Sequence, residues 1–245
     1  MTRSPLRPFA SRSARDHWVP YTPGWPASGQ LSSAPNTVPK SSLPALIPLS
    51  LLEAIRNLDT PVEDGLDELA EEIVVRRLGL SPTVAAQIQR YRQAAGRGGS
   101  VELDETVSVL RLVGRRNDAS LVFADAGRRA ARYAAKTRSR SSRTLVKVSP
   151  PGLARRLALR SASRLAKAIF EADLKTRSQA VEVSMKAPIT IVALPTGEAC
   201  GFYGSVYQEL LRSLTGFEGA LLHERCRSRG DDACMWRTAA AEVYE

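Results

Sequence analysis

Apolar residues recur at helical spacing up to about residue 172 and then switch to the tighter rhythm of strands. Leu49, Leu51, Leu52, Ile55 and Leu58 predict a helix over Leu46–Leu58. A second is expected over Asp64–Leu78, with acids in its first turns and Arg76 and Arg77 at its end, the charge order that suits the helix dipole. Ser81-Pro82 offers an N-cap followed by proline at the first helical position, opening a helix to about Ala95. Gly96, Gly98 and Gly99 read as a loop. Further helices are predicted over Glu105–Val113, Asp118–Lys136 and Leu153–Ala172, the last with Leu153, Leu157, Ser161, Leu165, Ile169 and Ala172 as its apolar side. Between them lie a polar linker, Arg138–Arg143, and a short β-like run, Thr144–Val148.

The alternation of Ala180–Met185 and the β-branched run Ile189–Leu194 predict strands. Pro195-Thr196-Gly197 is a turn. Ala199–Leu214 is a helix whose buried face carries Tyr203, Val206, Tyr207, Leu210, Leu211 and Leu214, with Gly216 as C-cap. Ala220–Cys226 and Ala233–Thr238 are strands joined by the Arg229-Gly230-Asp231-Asp232 turn. The expected class is therefore α+β, helices packed on an antiparallel sheet. Residues 1–44, dense in Pro and Ser, are expected to be a disordered tail, and residues 45–245 a single domain.

The formal charge of +10 is concentrated. Between Arg111 and Arg177 there are 18 Lys/Arg against Asp118, Asp125, Glu171 and Asp173, so the rest of the chain is net negative. Arg156, Arg160, Arg164 and Lys167 form a helical stripe suited either to phosphates or to plain solvent. No run of eighteen apolar residues is present, and the N-terminus has no apolar core of a secretory signal, which makes a cytoplasmic location the default expectation. A reducing compartment favours metal ligands or free thiols over disulfides.

All three cysteines fall in the last quarter. Cys200, His223, Cys226 and Cys234 are candidate ligands of one structural zinc, since three thiolates and an imidazole make a tetrahedral set. Three buried, reduced cysteines beside an ordinary histidine would read the same way. His223 and Cys226 are three apart, so a regular strand would point them to opposite faces. A shared metal requires a bulge or an early end to the strand near Cys226. Four protein ligands leave no position for water, so the site would be structural and not hydrolytic. No nucleotide-binding glycine pattern, phosphate-binding loop, iron–sulfur spacing or Ser-His-Asp set is visible.

Glu198-Ala199-Cys200-Gly201-Phe202-Tyr203-Gly204, the strand end His223-Glu224-Arg225-Cys226 and the run Gly230-Asp231-Asp232-Ala233-Cys234-Met235-Trp236 together resemble the 4-vinyl reductase domain, over about residues 180–240. That resemblance implies a fold related to vesicle-tethering and haem nitric-oxide-binding domains. It also implies metal ligands at Cys200, position 223, Cys226 and Cys234. Members usually carry glutamate at the second position, so either His223 or Glu224 is the fourth ligand here. Members include small-molecule sensor domains and stand-alone proteins of bacteriochlorophyll synthesis, and this chain looks most like the latter. The expected function is to hold an apolar aromatic or tetrapyrrole-like ligand, such as a porphyrin or chlorophyllide. The candidate lining is Phe202, Tyr203, Val206, Tyr207, Leu210 and Trp236, whose alternative role is core packing. The rival expectations are an accessory or reductase subunit for vinyl-group reduction and a nucleic-acid-associated regulator using the basic stripe. A homodimer is a further expectation.

Overall fold

The computed structural model describes residues 41–60, 78–137, 150–177 and 180–239. The Pro/Ser-rich stretch up to residue 40, the expected helix over Asp64–Leu78 apart from its last residue, and the linker and β-like run of 138–148 lie outside the described residues. The class is α+β, with seven helices and two antiparallel sheets among the described residues.

In chain order the elements are β1 (Ser42–Pro44), α1 (Leu46–Asp59), α2 (Pro82–Gly96), β2 (Ser100–Glu102), α3 (Leu103–Gly114), α4 (Ala119–Lys136) and α5 (Pro151–Phe170). Then follow β3 (Asp173–Arg177), β4 (Ala180–Met185), α6 (Ile189–Ala193), α7 (Cys200–Thr215), β5 (Ala220–Arg225) and β6 (Cys234–Ala239). Strands β1 and β2 pair antiparallel, so Ser42–Pro44, expected to be the end of the tail, belong to a sheet. The other sheet runs β3-β4-β6-β5, antiparallel throughout.

Helix α1 is buried nearly all round from Leu46 to Ile55, as a central helix should be. Burying Leu49, Leu51 and Ile55 contributes roughly 1.5–3 kcal/mol each. Helix α2 starts as its sequence predicts: Val84 N–H donates to the Ser81 hydroxyl at 3.3 Å, with Pro82 at the first helical position. Helices α1, α2 and α4 are tied together at Glu53, which is 9 % exposed and accepts hydrogen bonds from Arg92 (2.6 Å) and Tyr133 (2.6 Å). Arg116 bridges Asp59 (2.7 Å) and Asp118 (2.7 Å) at the other end of α1.

Helix α7 is packed between α4, α5 and the sheet. Its contact with α4 is close because α4 presents Ala126, Gly127, Ala130, Ala131 and Ala134. A Cβ on Gly127 would stand 2.3 Å from the Phe202 carbonyl oxygen. Helix α7 ends at Gly216, whose φ of 71° needs the freedom of glycine and whose N–H donates to the Arg212 carbonyl.

Three expectations are corrected. Ile189–Leu194 is not a strand: Ile189–Ala193 form the short helix α6, with Ile189, Thr190 and Ala193 buried and Val192 57 % exposed. Its β-branched residues favour a strand, but Pro188 and Pro195 confine it to one turn, and burial at helical spacing overrides propensity. Helix α5 stops at Phe170, and Glu171, in the left-handed region with φ 57°, redirects the chain into β3, which the sequence pattern did not mark. The buried side of α5 is Ala158, Ala162, Ala166 and Phe170, one residue on from the leucine stripe and so about 100° round the helix. The packed side of α5 is thus lined mainly by alanine methyl groups.

Among the described residues no helix is long and apolar enough to cross a membrane.

Candidate metal centre

The geometry begins with a turn. Gly197, at φ 83°, closes the loop between α6 and α7 and sets Cys200 at the first position of α7. A Cβ on Gly197 would stand 2.4 Å from the Ser228 hydroxyl and 3.2 Å from Cys226 Sγ, so the loop lies directly against the β5–β6 connection.

Strand β5 supplies the irregularity that a shared metal requires. His223 pairs with Trp236, but the next pair is Arg225 with Met235, so Glu224 is an extra residue without a partner on β6. The strand then ends at Arg225, and Arg227–Arg229 form a single tight turn closed by Gly230 at φ 90°. The bulge and the early end together bring His223 and Cys226 to one side. Asp231 holds the turn by accepting the Cys226 N–H at 2.7 Å. Cys234 opens β6 and accepts the Arg227 N–H at 3.4 Å.

The ligand atoms of Cys200, His223, Cys226 and Cys234 consequently lie within 4.8 Å of one another, close enough to hold one metal ion. Cys226 Sγ is 3.9 Å from Cys200 Sγ and 3.8 Å from Cys234 Sγ. Tetrahedral zinc with Zn–S of 2.3 Å places its sulfurs about 3.8 Å apart, whereas a disulfide needs about 2.05 Å. All three thiols are free and buried. His223 Nε2 is a buried polar atom without a hydrogen-bond partner, as a nitrogen reserved for a metal would be. Glu224, the other candidate for the fourth ligand, is exposed and lies outside the cluster.

The electrostatics differ from ligand to ligand. Burial lowers the His223 pKa, helped by the nearby Arg229, and so favours the neutral imidazole that metals bind. Burial pushes the thiols of Cys200 and Cys234 up. Burial also opposes ionisation of Cys226, but hydrogen bonds from the Ser228 side chain and backbone, with those of Cys234 and Cys200, together outweigh it and hold the pKa below the usual thiol value. Ser228 Oγ sits 2.9 Å from Cys226 Sγ, and Thr190 Oγ1 3.7 Å from Cys200 Sγ. Three thiolates and a divalent ion leave one net negative charge. Arg225, Arg227 and Arg229 stand exposed along the chain beside it, Arg227 donating to the Lys186 carbonyl at 2.6 Å and Arg229 to the Glu224 carbonyl at 2.8 Å. Nothing in the spacing of Thr190 or Ser228 marks these supporting hydroxyls.

The six expected lining residues Phe202, Tyr203, Val206, Tyr207, Leu210 and Trp236 are also brought together, each at most 2 % exposed. They pack on one another. The rings of Tyr203 and Tyr207 stack 6.0 Å apart, and Phe170 meets both edge-on at 6.5 and 6.4 Å. Trp236 lies 5.3 Å from Tyr207 and stacks on His223 at 4.7 Å with 9° between planes. The aromatic cluster therefore touches the candidate ligand set at His223. A cavity of about 520 Å³ opens elsewhere, against Ser42, Leu46, Thr137 and Ile169. Arg156, Arg160, Arg164 and Lys167 are exposed on α5.

Comparison with protein-family models, curated proteins and solved structures finds no match to this chain.

Proposed function

We propose that this chain is a small-molecule-binding domain of the 4-vinyl reductase type, holding an apolar aromatic or tetrapyrrole-like ligand and braced by a structural zinc. The observation that carries the reading is the cluster of three thiols and one unpartnered imidazole nitrogen within 4.8 Å. Thiolate-rich tetrahedral sets favour zinc, and four protein ligands make the ion a brace joining α7 to the β5–β6 hairpin. The ligand half rests on the resemblance and on the gathering of the aromatic residues Phe202, Tyr203, Tyr207 and Trp236 in one cluster, with Trp236 stacked on His223. A flat ligand that displaced Trp236 to reach Tyr203 and Tyr207 would move a ring already resting on a metal ligand, which couples binding to the metal site.

The test has two arms. Protein from metal-poor growth is loaded with one equivalent of zinc or cobalt and assayed by elemental analysis and by the visible spectrum of tetrahedral cobalt thiolate. One ion per chain in the wild type and none in Cys226→Ser supports the brace; folded, metal-free wild type that takes up neither ion refutes it. For the ligand, a porphyrin dicarboxylate is titrated into protein carrying Trp18→Phe and Trp25→Phe, with Trp236 emission as readout. Saturable quenching that weakens in Tyr207→Ala supports binding, and unchanged emission refutes it.

A further inference from the structure

The charge on α5 has no part in the metal centre. In sequence, residues 138–170 hold Arg138, Arg140, Arg143, Lys147, Arg155, Arg156, Arg160, Arg164 and Lys167 without a single Asp or Glu. On α5 itself, all five cations are exposed. Lys167 is paired with Asp173 at 2.8 Å. Arg155, Arg156, Arg160 and Arg164 have no acidic partner among the described residues. The nearest acids in sequence, Glu171 and Asp173, lie past the helix's C-terminal end, so the cationic part is its first three turns and more.

Apolar surface lies in the same arc. At about 100° per residue, Leu153 falls between Arg160 and Arg164 on the helix circumference, and Leu157 lies just beyond Arg164. Leu159, Leu165 and Ile169 pack against the core, whereas Leu153 is 49 % exposed and Leu157 only half-buried, outside the core cluster. Arginines flanking leucines over roughly 16 Å of helix, with no acid between them, match an interface that is negative at its surface and apolar just beneath. A single-stranded nucleic acid would call for exposed aromatic rings to stack its bases, and the one aromatic of α5, Phe170, is 2 % exposed.

We infer that the solvent-facing side of α5 docks this protein on an anionic lipid bilayer, the arginines against headgroup phosphates and carboxylates, and Leu153 and Leu157 in the headgroup–acyl boundary. This surface is independent of the metal and of the proposed ligand.

The experiment is sedimentation of the full chain with phosphatidylcholine vesicles, with and without phosphatidylserine, over a range of salt. The wild type is expected to bind only the anionic vesicles, and less so as salt rises. Each surface cation adds about a fivefold factor, so Arg156→Glu, Arg160→Glu and Arg164→Glu together should weaken binding by at least about 100-fold. Leu153→Ser with Leu157→Ser should weaken it about tenfold while keeping the salt dependence. The five side chains stand outside the core, and a melting curve verifies that each variant folds. The inference is overturned if phosphatidylserine makes no difference, if the charge-reversed variant binds like wild type, or if a single-stranded oligonucleotide binds and strips the protein from vesicles.

Discussion

Loading and stripping the proposed metal is the sharpest test of this fold. The ion would connect Cys200 at the start of α7 to Cys226 and Cys234, 26 and 34 residues on, across the face of the domain that carries Trp236. Cys226 Sγ stands 3.9 Å from Cys200 Sγ and 3.8 Å from Cys234 Sγ, and His223 Nε2 is buried with no hydrogen-bond partner that a metal would replace. An unsatisfied buried nitrogen alone costs about 1–3 kcal/mol. Mass action sets the larger part: metal at a thousandfold its dissociation constant stabilises the folded state by about 4 kcal/mol. At roughly 2–4 °C per kcal/mol for a chain of this size, stripping the ion lowers the melting temperature by about 8–16 °C. The assay is differential scanning calorimetry of zinc-loaded and chelator-treated protein, with Cys226→Ser as control. That variant should melt near the stripped wild type and be indifferent to chelator. A shift under about 2 °C on stripping a stoichiometric ion would refute the reasoning, because the ion would then contribute less than about 1 kcal/mol.

Gly197→Ala should weaken zinc binding and lower stability by roughly 1–2 kcal/mol, since φ 83° is strained for alanine and its Cβ would meet the Ser228 hydroxyl; competition with a chromogenic chelator reads the affinity. Gly127→Val should destabilise by about 2–3 kcal/mol in urea melts, because the added carbon stands 2.3 Å from the Phe202 carbonyl oxygen and must push α4 off α7. Alkaline stability should respond to Tyr133, whose pKa is pushed up to about 12 by burial and by its hydrogen bond to Glu53. The phenol is raised in the folded state, so its contribution is fully present below about pH 10 and lost as pH rises to about 12. Tyr133→Phe should lessen the fall in denaturation midpoint across that window.

Elements whose signals are local were legible in the chain itself. Ser81-Pro82 starts α2 and Gly216 ends α7, because a cap depends on a few neighbouring atoms. The α+β class followed from the change of hydrophobic period, and the need for an irregularity near Cys226 from the two-residue repeat of a strand. What depends on distant neighbours was not legible. Strands β1 and β3 have no alternation strong enough to declare themselves and exist because partners lie alongside. Segment Ile189–Ala193 has strand-forming residues but helical burial. The buried side of α5 was set by the partners it packs against, which left leucine on the flank and alanine inside.

The candidate site divides along the same line. Cysteine count and spacing by themselves determined which residues could bind a metal, since thiol and imidazole chemistry is carried by residue type. Only the tertiary structure decided that His223 and not Glu224 joins them. A bulge turns on the register between two strands, and the residues of β5 alone do not carry it: His223 pairs with Trp236 of β6, whose ring packs against Tyr207 of α7.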